Sequence, residues 1–438
     1  MTTPIADFID NYIKSEMSRL HMPGHKGNTC PEDITEIKGA DSLYEADGII
    51  AESEQNATEI FGSKRTFYST EGSSQCIKAM LMLACVNREN KSERPLILAA
   101  RNVHKAFIHA AALIDFDVEW LFPKHADSIC ECIITAGQLK NSLSSLKTKP
   151  CAVYITSPDY LGNIADISEL SAVCKEFSVP LLVDNAHGAY LKFTGEHPLD
   201  LSADMCCDSA HKTLPVLTGG AYLHINNGRF LQNAKETLAV FGSTSPSYLI
   251  LSSLDKANRY MAENFKTDLQ KCIEQVKKLK VYITDKSDEK LKLTIDAYHF
   301  GKSGIEIAEL LRKNNVECEY ADEQFTVLMF SPFNTDEDFK RTQTVLSSLR
   351  LSCVDEKDFQ NSIRILSPAP IKKELSIREA YFSPQEEIET ELAENRICGF
   401  TTVSCPPAIP IVLPGEKITQ KHLKLFDFYK IKTIKVIN

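Results

Sequence analysis

No stretch of this 438-residue chain approaches the roughly 18–20 consecutive apolar residues that cross a bilayer. The opening MTTPIADFIDNYIKSEMSRL lacks the basic-then-apolar pattern of a secretory signal, so a soluble, cytoplasmic protein is expected. A basic run is missing too: 49 Lys and Arg stand against 59 Asp and Glu, for a net charge of −10. That balance argues against nucleic acid and anionic membrane as partners. Metal-ligand spacing is also lacking. The 14 cysteines are scattered or sit in apolar runs, and the close pairs Cys130-x-Cys132 and Cys206-Cys207 have no second pair at ligand distance. Buried free thiols in a reducing compartment are expected, and no metal. His21 and His25 do not change this, because the intervening Pro-Gly keeps them off one helix face. Internal repeats and low-complexity tracts are absent.

What is present is ordinary globular composition, 43% hydrophobic and 25% charged, in a chain long enough for two or three domains sharing a site. Between about residues 95 and 225, short apolar runs alternate with amphipathic stretches. RPLILAA, CAVYITSP, VPLLVDNAH, ADMCCDSA and GGAYLHI read as buried strands, and HKAFIHAAALI and DISELSAVCKEF as helices. This implies an α/β fold with a mostly parallel sheet covered on both faces, binding its ligand outside the carboxyl ends of the strands. SPSYLILSSLDKANRYMAENF reads as a long helix leaving that domain. After the polar TDKSDEK the pattern becomes strand–helix–strand–strand–helix, a smaller α/β module, and PPAIPIVLPGEKIT reads as a Pro-punctuated loop with a short strand. The expected domains are 1–270, an N-terminal segment plus the large domain, and 271–438, the smaller one.

Four features stand at strand ends. RTFYST leads into Gly72-Ser73-Ser74 and then a helix, which is either a plain Ser N-cap or an anion site of N–H groups and hydroxyls. It is neither a Walker loop nor a GxGxxG fingerprint, so a bound phosphate need not belong to a nucleotide. Asp184 follows an apolar strand, either as a plain helix cap or as a buried carboxylate that must be paired or hydrogen-bonded; Ala186 and Gly188 beside it leave room for a flat ligand. His104 follows the strand PLILAA, as a cap, a core residue or a ligand group. Lys212 follows ADMCCDSA, where an isolated lysine is ordinarily solvent-exposed. Taken together, a phosphate cup and strand-end Asp, His and Lys suit pyridoxal 5'-phosphate held as a Schiff base. A desolvated, cationic pocket lowers the lysine's pKa, and the Asp keeps the pyridine nitrogen protonated through a charge-assisted bond of roughly 1.5–3 kcal/mol.

The sequence resembles the Orn/Lys/Arg decarboxylases of the aspartate-aminotransferase-like fold (fold type I), in their short bacterial form. HMPGHKG, DSLYEADGIIAESEQNATEIFGSKRTFYSTEGSS, RNVHKAF, ITSPDYLG, VDNAHGAYLKF, SAHKTLPVLTGG, TSPSYLILSSLDKA and PPAIPIVLPGE occur in the family's order along nearly the whole chain. The resemblance implies that Lys212 is the Schiff-base lysine, Asp184 the partner of the pyridine nitrogen and His104 the residue stacked on the ring. Ser73, Ser74 and Ser209 would hold the phosphate with His211 beside it, Ala186 and His187 would line the cofactor, and Thr244 would reach the phosphate of a neighbouring subunit. A homodimer or larger homo-oligomer follows. The N-terminal domain of the large family members is expected to be absent, since the signature begins by residue 21.

The implied reaction removes the carboxylate of a basic amino acid (arginine, lysine or ornithine) as CO2, giving agmatine, cadaverine or putrescine. Binding the cationic head calls for a carboxylate in a partly desolvated pocket. Against the family pattern, Phe400 stands where a glutamate associated with substrate recognition is usual, Cys405 replaces a tyrosine, Ala408 a glycine, Gly219 a glutamine and Glu71 an Asn or Gln. These changes leave the cofactor residues in place and bear on the substrate. An aminotransferase or lyase acting on a less basic amino acid is the alternative, and Arg101, Arg364 and Arg396 are its candidate carboxylate-binding residues.

Overall fold

The structure is a computed structural model that describes residues 1–351, 372–401 and 407–438. Its first strands are β1 (Arg65–Ser69), β2 (Leu96–Ala100), β3 (Asp117–Leu121), β4 (Ala152–Thr156), β5 (Leu181–Asp184), β6 (Met205–Asp208) and β7 (Ala221–Ile225). The first helices are α1 (Pro4–Lys14), α2 (Ile49–Phe61), α3 (Ser73–Val86) and α4 (Lys105–Ile114). The chain forms two compact units. One comprises Met1–Lys91, Cys151–Ser157 and Ile167–Asp268, the other Ser92–Pro150, Pro158–Asp166 and Leu269–Asn438.

In the first unit the strands run in the order β1-β7-β6-β5-β4. β4, β5 and β6 are parallel, in a register that sets Thr156 beside Asp184 and Asp184 beside Cys207. β7 returns antiparallel to β6 and pairs with β1 on its other side. The runs LLVD and MCCD are buried at every position, as strands covered on both faces must be. α3 is apolar almost all round and is buried through Cys76, Ile77, Met80, Leu81 and Leu83.

In the second unit β2 and β3 pair in parallel. β8 (Lys292–Asp296), β9 (Tyr320–Ala321) and β10 (Phe325–Met329) form an antiparallel sheet in the order β8-β10-β9. With the helices Gly304–Lys313 and Asp336–Ser348 they follow the strand–helix–strand–strand–helix pattern read from the sequence. β11 (Gln385–Glu389) and β12 (Thr433–Ile437) make a separate antiparallel pair.

Two details differ from the expected pattern. The helix beginning at Tyr248 is broken by a π-helical turn at Met261–Phe265 before continuing to Lys280. From residue 407 the Pro-punctuated segment forms no strand, only isolated bridges from Glu416 to Lys373 and from Lys417 to Ile397. Prolines lack the N–H that a ladder requires. Among the described residues the cysteines are free thiols, all buried except the half-buried Cys30 and Cys318. No described helix is long and apolar enough to cross a membrane.

Candidate active site

Parallel pairing of β5 with β6 puts the carboxyl ends of two buried strands side by side. Asp184 closes β5 and is 2% exposed. Its Oδ2 accepts the Tyr154 hydroxyl at 3.1 Å and its Oδ1 the Ala186 N–H at 3.2 Å, while the Cys207 thiol lies 3.7 Å from Oδ1. Burial pushes the Asp184 carboxyl above its ordinary value, outweighing the Tyr154 bond and the Lys212 charge that pull the other way. Lys212 sits on the helical turn Ala210–Thr213 just after β6, half-buried, with Nζ 2.8 Å from Nε2 of the buried His187. The lysine read as an isolated strand-end charge is therefore in contact with a histidine from the loop after β5, within electrostatic reach of Asp184.

The segment from Thr70 to Ser74 is the second part. α3 begins at Ser73, its N-cap is Gly72 at φ 70°, and no side chain caps its first N–H groups. The plain Ser N-cap is thus set aside: Ser73 and Ser74 occupy the first helical positions, where N–H groups and hydroxyls converge at a positive helix end. Ser209 Oγ donates to Ser73 Oγ at 2.8 Å, linking this end to the Lys212 turn. The Gly72 N–H donates to the Gly219 carbonyl at 2.7 Å. Gly219 has φ 101°, and a Cβ there would lie 2.9 Å from the Thr70 carbonyl oxygen, so the family's glutamine would be strained in this loop. His211 Nδ1 lies 3.0 Å from the Gly220 carbonyl, which turns the ring along the same loop. Glu71 is exposed, its N–H donating to Ser69 Oγ at 3.1 Å.

These residues fit pyridoxal phosphate on the chemistry of the donor set. An uncapped helix N-terminus with serine hydroxyls suits a phosphate. A buried carboxylate with only neutral direct donors suits a protonated ring nitrogen. The hydroxyls of Thr70 and Thr213, flanking the two halves, are buried without a hydrogen-bond partner among the described residues.

His104 belongs to the second unit, where it is the N-cap of α4 and its Nδ1 accepts the Ala106 N–H at 3.1 Å. Thr244 is exposed, a few residues before the helix Tyr248–Tyr260. Phe400 is half-buried against Tyr381, ring centroids 4.3 Å apart, with the Lys435 ammonium 5.5 Å over its face. Ala408 holds φ 59°, the left-handed region in which a glycine would rest without strain, and its carbonyl accepts the Lys105 N–H at 2.9 Å. Arg101 is buried and committed to the carbonyls of Pro410 and Ile411 at 3.0 and 3.1 Å; Arg396 reaches Glu386 at 2.6 Å. Cys405 and Arg364 lie outside the described residues.

The sequence reading did not single out Tyr154, Asn185, His197, Asp208 or His224. Asp208 Oδ2 lies 3.0 Å from His197 Nε2 and 3.2 Å from His224 Nε2, and its Oδ1 accepts from Asn185 Nδ2 at 2.7 Å. One available signal was a histidine inside the buried strand AYLHI, which needs a polar partner there. Another was an aspartate closing the apolar run MCCD.

The family described as Orn/Lys/Arg decarboxylase, major domain, matches residues 24–297, more than half of the chain. A Bacillus subtilis protein named "Uncharacterized protein YaaO" is 29% identical over 99% of this chain and 95% of its own length. A Bacillus subtilis arginine decarboxylase is 26% identical over 96% of this chain and 92% of its own. Among solved structures, the Francisella novicida lysine decarboxylase LdcF superposes with a TM-score of 0.80 at 17% identity, covering 100% of this chain and 81% of that one. The shared architecture is that of fold-type I enzymes, a large α/β domain with a mixed, mostly parallel sheet and a smaller C-terminal domain. The family match runs through Ser73, Asp184 and Lys212 alike, and the chain belongs to the Orn/Lys/Arg decarboxylases, pyridoxal-phosphate-dependent carbon–carbon lyases that remove the carboxylate of a basic amino acid.

Proposed function

We propose that the chain decarboxylates arginine to agmatine and CO2, with residues 1–270 as the cofactor-binding domain and 271–438 as the smaller domain. The observation that carries the chemistry is the Lys212 amine, 2.8 Å from His187 and within the field of a buried Asp184. Arginine is favoured by the relatives named arginine decarboxylases, which align along nearly their whole length.

Pyridoxal phosphate, when bound, accepts the electron pair left on the α-carbon as CO2 departs. Lys212 supplies the amine that holds it covalently, and His187 takes or returns a proton at Nζ. Asp184 holds the proton on the pyridine nitrogen, with Tyr154 and the Ala186 N–H fixing its two oxygens. Ser73, Ser74, Ser209 and the N-terminus of α3 bind the phosphate, with His211 alongside. His104 stacks on the ring and Thr244 reaches the phosphate of a second copy in a homodimer; both roles rest on the family resemblance.

The purified protein is expected to be yellow, and Lys212→Ala to lose the visible band. CO2 release measured across arginine, lysine, ornithine and neutral amino acids should be fastest with arginine. Transamination without CO2, or release from neutral amino acids alone, would overturn the proposal. Sedimentation of the holoenzyme as a monomer would remove the role of Thr244.

A further inference from the structure

Directly behind the two catalytic turns lies a polar cluster that the reaction does not use. His197, Asp208 and His224 are each 0% exposed. Leu199 N–H donates to His197 Nδ1 at 3.3 Å, so the ring proton is on Nε2, facing Asp208. Thr66 Oγ1 lies 2.8 Å from His224 Nδ1, and the carboxylate opposite Nε2 requires that nitrogen to be the donor. Phe61 packs on both imidazoles, with ring centroids 5.5 Å from His197 and 4.4 Å from His224, which immobilises the pair. One oxygen of Asp208 thus takes two ring N–H donors, and the other is left to grip Asn185.

Two imidazoles and a carboxylate are also a metal-ligand set, and their ligand atoms lie within 4.8 Å of one another. The hydrogen bonding runs against that use. A metal-bound imidazole donates from its other nitrogen, whereas His197 accepts there from a backbone N–H.

The position of Asp208 in the chain gives the cluster a different task. It immediately precedes Ser209, and Asn185 immediately follows Asp184. Asn185 is held twice from β6, by its backbone N–H to the Cys207 carbonyl at 3.0 Å and by its side chain to Asp208 at 2.7 Å. We infer that Asp208, locked by His197 and His224, is a positioning residue: through Asn185 it fixes the spacing between the Asp184 carboxylate and the Ser209–Lys212 turn. The inference rests on the proposed roles of Asp184 at the pyridine nitrogen and Ser209 at the phosphate. A buried carboxylate suits the task because loss of any one bond leaves an unpaired group in a water-free site, so the arrangement resists small displacements.

The test compares Asn185→Ala, Asp208→Asn and Asp184→Ala with the parent holoenzyme. The readouts are the dissociation constant for pyridoxal phosphate, the pH at which the visible band titrates, and the melting temperature. Asn185→Ala and Asp208→Asn should weaken cofactor binding by roughly 10–100-fold, the size typical of removing a partner one shell out. Both should move the band titration in the same direction as Asp184→Ala, and the double variant should be little worse than the worse single one. Should Asp208→Asn fail to fold, Asn185→Ala decides the matter, because it leaves the three locked side chains intact. A lower melting temperature with parent-like affinity and band titration, while Asp184→Ala shifts the band, overturns this inference alone. An unmoved band in Asp184→Ala overturns the assignment of Asp184 and this inference with it. Stoichiometric zinc or iron bound by the parent and lost in Asp208→Asn would overturn it in favour of a metal site.

Discussion

Asp184 and Asp208 close neighbouring parallel strands, are equally buried, and behave oppositely. Burial pushes both carboxyls up. At Asp208 the imidazoles of His197 and His224 overcome that push and hold the group well below the usual carboxylate range. At Asp184 the direct partners are a phenol, a thiol and one backbone N–H, and burial wins. The difference shows which carboxylate the fold has finished pairing and which it keeps short of a cation. In the proposed role of Asp184, a protonated ring nitrogen would supply the N–H donor that His197 and His224 already supply to Asp208.

The largest effect should come from removing the unfinished carboxylate. Asp184→Ala should lower kcat for CO2 release on the order of 10²–10³-fold, as loss of a preorganised electrostatic partner does, with the fold retained by circular dichroism. A kcat within a few-fold of the parent would erase the functional contrast between the two aspartates.

Stability against pH should then separate them by sign. The folded-state value of Asp184 lies above the ordinary 3.8, so the stability its protonated form contributes is lost as pH rises from about 4 through that raised value. The folded-state value of Asp208 lies below 3.8, so its contribution is present above about pH 4 and lost as pH falls toward that lowered value. In urea melts of protein freed of cofactor, Asp184→Asn should be more stable than the parent at pH 7, with the gap closing near pH 4. Asp208→Asn should be less stable at pH 7, with its gap closing below pH 4. Slopes of the same sign would break the comparison.

The smallest effect is expected from Tyr154→Phe, which removes one neutral donor from Asp184 and costs about 1 kcal/mol. In the holoenzyme the band titration should move in the same direction as in Asp184→Ala, but less. A larger shift than in Asp184→Ala would mean that the phenol, rather than the carboxylate, governs the ring proton.

The strand ends carrying Asp184 and Lys212 were legible because each follows a short, wholly apolar run, and such runs in series specify parallel strands whose carboxyl ends converge. The identity of the helix cap was not legible. Ser73 and Ser74 are good capping residues, yet Gly72 takes that place, because its φ of 70° lets its N–H meet the Gly219 carbonyl. Gly219 reads in sequence only as a departure from a family pattern. The Thr70 carbonyl, 2.9 Å from where its Cβ would stand, gives the steric reason. The glycine replaced by Ala408 likewise corresponds to a left-handed backbone position, at φ 59°.

The sequence by itself determined the cofactor class and the alternation of strands and helices. Those depend on residue type and local periodicity, which a linear chain displays directly. Only the tertiary structure decided that Asp208 would be paired and Asp184 kept waiting. His197 and His224 lie 11 and 16 residues from Asp208, and it takes the folded sheet to bring both imidazoles to one carboxylate oxygen. Burial then decides the direction: it raises the carboxyl of Asp184, whose direct partners are neutral, while the two imidazoles lower that of Asp208.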